Sequence, residues 1–380
     1  MQGELNRGGL DDAGPLAGVL LGVDGAYERI LPINGVITLI FWERGFRIAP
    51  VLALFFFAPI SAEYLIGYDD LIGRPLELVF GLLIFGPLYG APAVLIREAA
   101  RRTGRGRRTI LLLSFAAGLV QAGLIDQSLF NPSYRDIPYW DELLLPTYLP
   151  GLGFSAYMLI GFVGGHMIQS FAAPIAIIES LAPRRAPEPW LGRPGLLVMA
   201  LLYVAAAGFV LEDQAQTEGF VASVGQLVGS ALVVIALVVL AFRLPRGRPA
   251  PSGAPPRPLV VAAVAITALA VGGLVPPTWP GVAVTALALI GLGVLVWRWS
   301  GRIGWSGAHV LAVGAAPVVV NASMAFLIEP LGSPSPTIKY AVNAVLALGV
   351  AVLLLSPRGG FAAGRPQALR RIRRGDRQPL

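Results

Sequence analysis

Apolar residues in this chain gather into long, nearly unbroken runs separated by short links rich in arginine, proline or small polar residues. A helix needs about 20 apolar residues to cross the hydrocarbon layer. Ten runs approach that length, near 49–67, 76–96, 109–130, 153–180, 194–212, 219–242, 259–276, 279–298, 305–327 and 337–355. The pattern predicts an all-α, polytopic transmembrane helix bundle of about ten spans. The seventh and eighth runs meet at "VPPTWPG", so that pair also reads as a broken hairpin. Ahead of the first run, "LPINGVITLIFWERGF" is too short and too interrupted to cross, and is expected at the interface or as a re-entrant piece.

The links give orientation. Arginine counts alternate along the chain: six in "REAARRTGRGRR", one in 131–150, three in "APRRAPEPWLGRP", none in "EDQAQTEG", four in "FRLPRGRPAPSGAPPRP", none in "VPPTWPG", two in "WRWSGRIG", none in "EPLGSPSPT", and seven from Pro357 onward. Short arginine-rich links stay cytoplasmic, so both termini are expected in the cytoplasm of a multi-pass protein of a bacterial inner membrane. Five segments follow: 1–48, cytoplasmic or interfacial; 49–243, a six-span bundle; 244–258, a Pro/Arg-rich cytoplasmic linker; 259–355, a four-span region; and 356–380, a basic tail. The opening residues lack a basic start followed by an apolar core, so no cleavable signal peptide is expected.

Composition agrees with the pattern: 55% of the 380 residues are apolar and 13% charged, with a mean hydropathy of +0.70, against about 25% charged in soluble domains. The net charge of +7 reads as topology signal and lipid contact, not as a nucleic-acid footprint. The tail can touch anionic head groups or serve only as a solvated topology determinant. The chain has no cysteine, which removes disulfides and thiolate chemistry. No cofactor motif occurs, and the two histidines, His166 and His309, form no zinc pattern.

Polar residues inside apolar runs are costly and usually face the bundle interior. With this orientation, Glu63, Asp126, Gln226 and Asn321 fall in the outer third of their spans, and Glu77 opens the second. Glu63, Gln121, Asp126, His166, Gln226 and Asn321 are therefore the candidate ligand- or proton-binding residues, lining a cavity that opens outward. For Glu77 an interfacial position is the simpler reading. Counted from the outer end, His166 lies about 13 residues or roughly 20 Å deep and Asp126 about 6 Å, which separates them unless the fourth span starts late or kinks. Gly161 and Gly165 flank the histidine as G-x-x-x-G, a pattern that permits close helix approach. A structural histidine at that contact and a proton carrier are both readings of His166. The loop 131–150, with aromatics and prolines, is expected either to fold over the outer mouth or to form an aromatic belt. Arg97, Glu98 and Glu179 read as cytoplasmic borders.

Phe162–His166 matches the F-x-x-x-H pattern of the CAAX-protease and bacteriocin-processing intramembrane proteases, and "QAGLID" occupies the place of their E-E-x-x-x-R. The resemblance is partial: Gln121 and Ala122 stand where glutamates belong, Asp126 where arginine belongs, and no H-x-x-x-N follows. It would imply water activation by a carboxylate that these positions lack. The wording around "REAARRTGRG" and "DQSLFNP" resembles uncharacterised polytopic membrane proteins of high-GC bacteria. The leading expectation is a proton-linked transporter of a small solute. An intramembrane enzyme acting on lipid or membrane peptide, and a non-catalytic assembly or sensing protein, are the alternatives.

Overall fold

The computed structural model describes residues 48–245 and 253–355. The segment 1–47, the middle of the linker and the tail lie outside the described residues, and with them the expected placement of the termini and of "LPINGVITLIFWERGF". The regular structure of the described residues is helical, apart from a two-stranded antiparallel hairpin, β1 (Tyr148–Leu149) with β2 (Phe154–Ser155).

Eight helices among the described residues are long and apolar enough to cross a membrane. They are α2 (Pro75–Arg102), α3 (Arg107–Ile125), α4 (Ala156–Leu181), α5 (Arg193–Thr217), α6 (Val224–Arg243), α8 (Trp279–Ser300), α9 (Gly307–Met324) and α10 (Pro336–Leu355). Two shorter apolar helices, α1 (Ala49–Tyr64) and α7 (Pro258–Leu274), complete the set. Each of the ten apolar runs therefore contains a helix. The starts of α7 and α8 are Pro258 and Trp279, and Thr278 accepts from the Gly281 amide at 3.3 Å, so the "VPPT" turn separates two helices.

The helices divide into an inner and a peripheral set. α3 packs against α4 and α6, and α9 packs against both α4 and α7. α5, α6 and α8 keep most of their apolar surface outward, as helices solvated by lipid do. Where helices approach closely, glycine makes room: a Cβ at Gly90 of α2 would lie 1.9 Å from the Phe55 carbonyl of α1, and one at Gly118 of α3 would lie 2.7 Å from the Val163 carbonyl of α4. Gly161 and Gly165 make no such contact, having nothing within 4 Å of a built Cβ. The G-x-x-x-G expectation is thus corrected: the close contact to α4 is made by the glycine of the opposite helix.

The chain's only lysine, Lys339, is buried on α10. Its Nζ donates to the Ile328 carbonyl at 2.6 Å, and one turn later Asn343 Nδ2 donates to Ala325 O at 2.9 Å. Both fill carbonyls left over beyond the end of α9, where a helix favours cations.

Candidate functional site

The first four helices are all widened by π-turns: Ile60–Tyr64 in α1, Gly86–Gly90 in α2, Gln121–Ile125 in α3, and Leu159–Gly164 with His166–Ala172 in α4. Proline and glycine make these turns accessible. Pro59 directly precedes the first and Pro87 lies within the second, each lacking the N–H that would tighten the turn; glycines lie within the third and fourth. π-Turns are rare and concentrate at functional positions. Here they carry Glu63, Tyr89, Gln121 and His166.

Those side chains converge. Tyr68 Oη donates to Glu63 Oε2 at 3.4 Å, and the Tyr89 hydroxyl reaches the same carboxylate. The Tyr89 ring stacks on His166 with centroids 5.6 Å apart and planes 20° off parallel. His166 Nδ1 lies 3.1 Å from Ser170 Oγ, one turn on. Glu63 lies within electrostatic reach of both His166 and Asp126. α4 begins at Ala156 and carries π-turns, which hold more residues per turn than an α-helix, so a uniform rise does not describe the depth of His166. Glu63 and His166 are both half-buried.

Asp126 belongs to this region but is committed. Gln121 Nε2 donates to its Oδ2 at 3.0 Å and the Ser128 amide to its Oδ1 at 2.9 Å. The pair closes the outer end of α3, so the two residues that stood in the place of a protease motif hold each other. Gln226 is not brought to the site. α6 starts at Val224, not near 219, and Gln226 closes a capping box with Ser223, whose amide and hydroxyl both donate to Gln226 Oε1 at 2.9 Å. Asn321, half-buried on α9 one turn past Pro317, joins none of the cluster's hydrogen bonds. Glu77 is half exposed and pairs with Arg74 at 2.7 Å at the start of α2.

The 131–150 loop folds over the outer end. Trp140 is buried, its ring 5.8 Å from Phe162 and its Nε1 donating to Asn131 O at 3.1 Å. Arg135 ties the loop down twice: Nη1 to Asp69 Oδ2 at 2.8 Å and its amide to Glu218 Oε2 at 2.8 Å. Arg135 and Asp136 take positive φ, 54° and 49°, a conformation uncommon outside glycine. Tyr134, carried inward by this turn, lies near Asp126 and Glu63 and bonds Gln214. Burial, and after it the Asp126 charge, push its hydroxyl well above the usual phenol range, so it is a neutral donor. A separate cavity of about 310 Å³ lies between the start of the loop and the end of α5, lined by Asn131, Ser133, Asp136 and Glu218 among others.

Sequence reasoning passed over the opposite end. Arg97 is fully buried, donating to Glu98 at 2.7 Å, Glu179 at 3.1 Å, and the Arg185 and Ala186 carbonyls at 3.1 and 2.8 Å. Its guanidinium lies 3.6 Å from the Trp190 ring centroid. Glu98 accepts from the Trp190 and Leu191 amides, and Arg101 pairs with Glu179. This clasp joins α2, α4 and the 182–192 link. The sequence signal was available: arginine followed directly by glutamate in an apolar helix requires internal partners. Tyr68, Tyr89 and Tyr134 gave none, since tyrosine is ordinary in membrane helices and their ends.

The chain belongs to an uncharacterized membrane protein family, whose model matches residues 52–373. No curated protein and no solved structure matches it.

Proposed function

We propose that this protein is a proton-linked transporter of a small solute, with Glu63 and His166 as its proton site and Tyr68, Tyr89 and Tyr134 as the neutral donors around it. One observation carries the reading. Four neighbouring helices each give up regular α-geometry to bring a carboxylate, an imidazole and tyrosine hydroxyls together inside an apolar bundle. A carboxylate held there in the absence of a directly paired cation is an expensive charge, and taking up a proton removes that cost. Glu63 is a better carrier than Asp126, because both oxygens of Asp126 are already occupied at the end of α3. The same commitment weakens the rival reading, hydrolysis of lipid or membrane peptide, in which Asp126 would have to be free to orient His166 or activate water.

The test uses vesicles containing the purified protein and a trapped pH-sensitive dye, challenged in turn with sugars, amino acids, organic anions and organic cations. The expected result is a solute-dependent pH change that Glu63→Gln abolishes and Asp126→Asn leaves largely intact. Equal proton movement in wild type and Glu63→Gln across all four solute classes overturns the assignment.

A further inference from the structure

The proton site lies in the six-span part of the chain, whereas α9 belongs to the four-span part. One side chain bridges them at the level of the site. Gln169 stands on the same π-turn as His166, three residues on. Its Nε2 donates to the Pro317 carbonyl of α9 at 3.1 Å. Its Oε1 lies 3.5 Å from Ser61 Oγ, and Ser61 stands on the π-turn of Glu63, two residues before it. Ser61 is fully buried.

Pro317 is the interior proline of α9. Having no N–H, it leaves the Val313 carbonyl one turn earlier without its helical donor, and helices bend at such positions; the carbonyl that Gln169 meets is that of Pro317 itself, at the bend. The amide of Gln169 therefore links the turn that bears the acid, the turn that bears the imidazole, and the weakest point of α9. Gln169 carries no charge, so it responds to where those turns are and not to their field. A π-turn holds one residue more than an α-turn. Its relaxation to α-geometry would rotate the following helix by about 100° per residue lost and carry Ser61 or Gln169 away from its partner.

We infer that Gln169 is a positioning residue that transmits the protonation state of the Glu63–His166 pair to α9 through its bonds to Ser61 and Pro317; the inference rests on the proton-site reading above. The titratable groups facing the pair are Tyr68, Tyr89, Tyr134, Asp69 and Asp126; the tyrosines act as donors, Asp69 is paired with Arg135, and Asp126 is held by Gln121 and Ser128.

The absence of native cysteine permits a direct readout. Ser323→Cys, exposed on α9 beyond the proline, is alkylated with N-ethylmaleimide in vesicles at pH 5.5 and pH 8.5. Each rate is divided by that of Gln216→Cys on α5, which cancels thiol ionisation. The expected ratio differs at least threefold between the two pH values, and Gln169→Leu and Glu63→Gln each bring it to within 1.5-fold. Gln169→Glu tests the donor itself: a protonated carboxyl can donate to Pro317 O and an ionised one cannot, so its α9 signal should match wild type at pH 5.5 and Gln169→Leu at pH 8.5. If Gln169→Leu does not fold, Ser61→Ala and Gln169→Glu carry the test. A pH response that survives Gln169→Leu, or that is missing from wild type, overturns the inference. Loss in Glu63→Gln with retention in Gln169→Leu overturns it while leaving the proton site standing; retention in Glu63→Gln overturns the proton site.

Discussion

The Arg97 clasp permits a quantitative prediction. Arg97→Met keeps most of the apolar stem and removes the guanidinium with four hydrogen bonds and its stacking on Trp190. Removing one partner of a buried ion pair costs about 3–5 kcal/mol, mainly because the remaining charge is stranded. Here neither carboxylate is stranded completely. Glu98 keeps Arg102 at 3.2 Å and the Trp190 amide at 2.7 Å, and Glu179 keeps Arg101. The Arg185 carbonyl keeps the Trp190 indole Nε1 at 2.9 Å, which leaves the Ala186 carbonyl as the group that loses its donor. The expected loss is therefore at the lower end, about 3 kcal/mol. Arg135→Met is the internal comparison. That residue also makes an ion pair at 2.8 Å, but the two side chains are 33% and 18% exposed, and its loss should cost about 1 kcal/mol or less. Reversible unfolding in mixed lipid–detergent micelles measures both, and a double-mutant cycle with Glu179→Gln isolates the Arg97–Glu179 share. Equal shifts for Arg97→Met and Arg135→Met, or a loss below about 1 kcal/mol for Arg97→Met, would refute the claim that burial sets the worth of this pair.

Gly118→Ala should destabilise the bundle by about 1–3 kcal/mol, since its new methyl meets the Val163 carbonyl rather than a movable side chain; Gly161→Ala should be neutral or slightly stabilising in the same unfolding assay, as nothing stands within 4 Å of it. The outer loop should loosen in acid. Burial alone would raise the Asp69 carboxyl, but hydrogen bonds from the Leu71 amide at 3.0 Å and Arg135 at 2.8 Å, with the Arg135 charge, hold it below the usual range. A lowered folded-state value means that its contribution is present above the ordinary carboxylate range and is lost as pH falls through the folded value. Hydrogen exchange of the 131–149 backbone relative to α3, followed from pH 6 to pH 3, should rise as that latch protonates, and an Asp69→Asn variant should show the faster exchange already at pH 6.

Much of the architecture was legible because lipid is a demanding solvent. Ten apolar runs became ten helices, since a span must satisfy its own backbone and can do so only by continuous helix of a certain length. The errors came where side chains, not solvent, decide the local geometry. Residues 219–223 are apolar enough to extend α6 outward, yet Ser223 and Gln226 cap the helix and start it late. Gly161 and Gly165 have the spacing of a helix contact, but spacing does not say which face a π-turn leaves inward. Arg97 and Glu98 read as a water-exposed border because arginines crowd the link beyond them; the fully buried clasp becomes visible only once Glu179 and Trp190 are brought beside them by tertiary packing.

The depth counted for His166 rests on an assumption of the same kind and bears most directly on function. Counting residues assumes a uniform rise, and α4 abandons it over both Leu159–Gly164 and His166–Ala172. A single π-turn could be a local accommodation to a proline. Five on four adjacent helices, with Glu63, Tyr89, Gln121 and His166 distributed among them, place weakened backbone geometry where the polar groups meet. Regular α-helix would satisfy the backbone better in lipid, so fold stability alone gives no reason for this concentration. The clasp ties α2 to α4 and the Arg135–Asp69 pair ties the 131–150 loop to the α1–α2 link, by bonds that lie outside the π-turns. A change of geometry at the level of Glu63 and His166 would leave these ion pairs in place, which is the mechanical property that the proposed proton-linked role calls for.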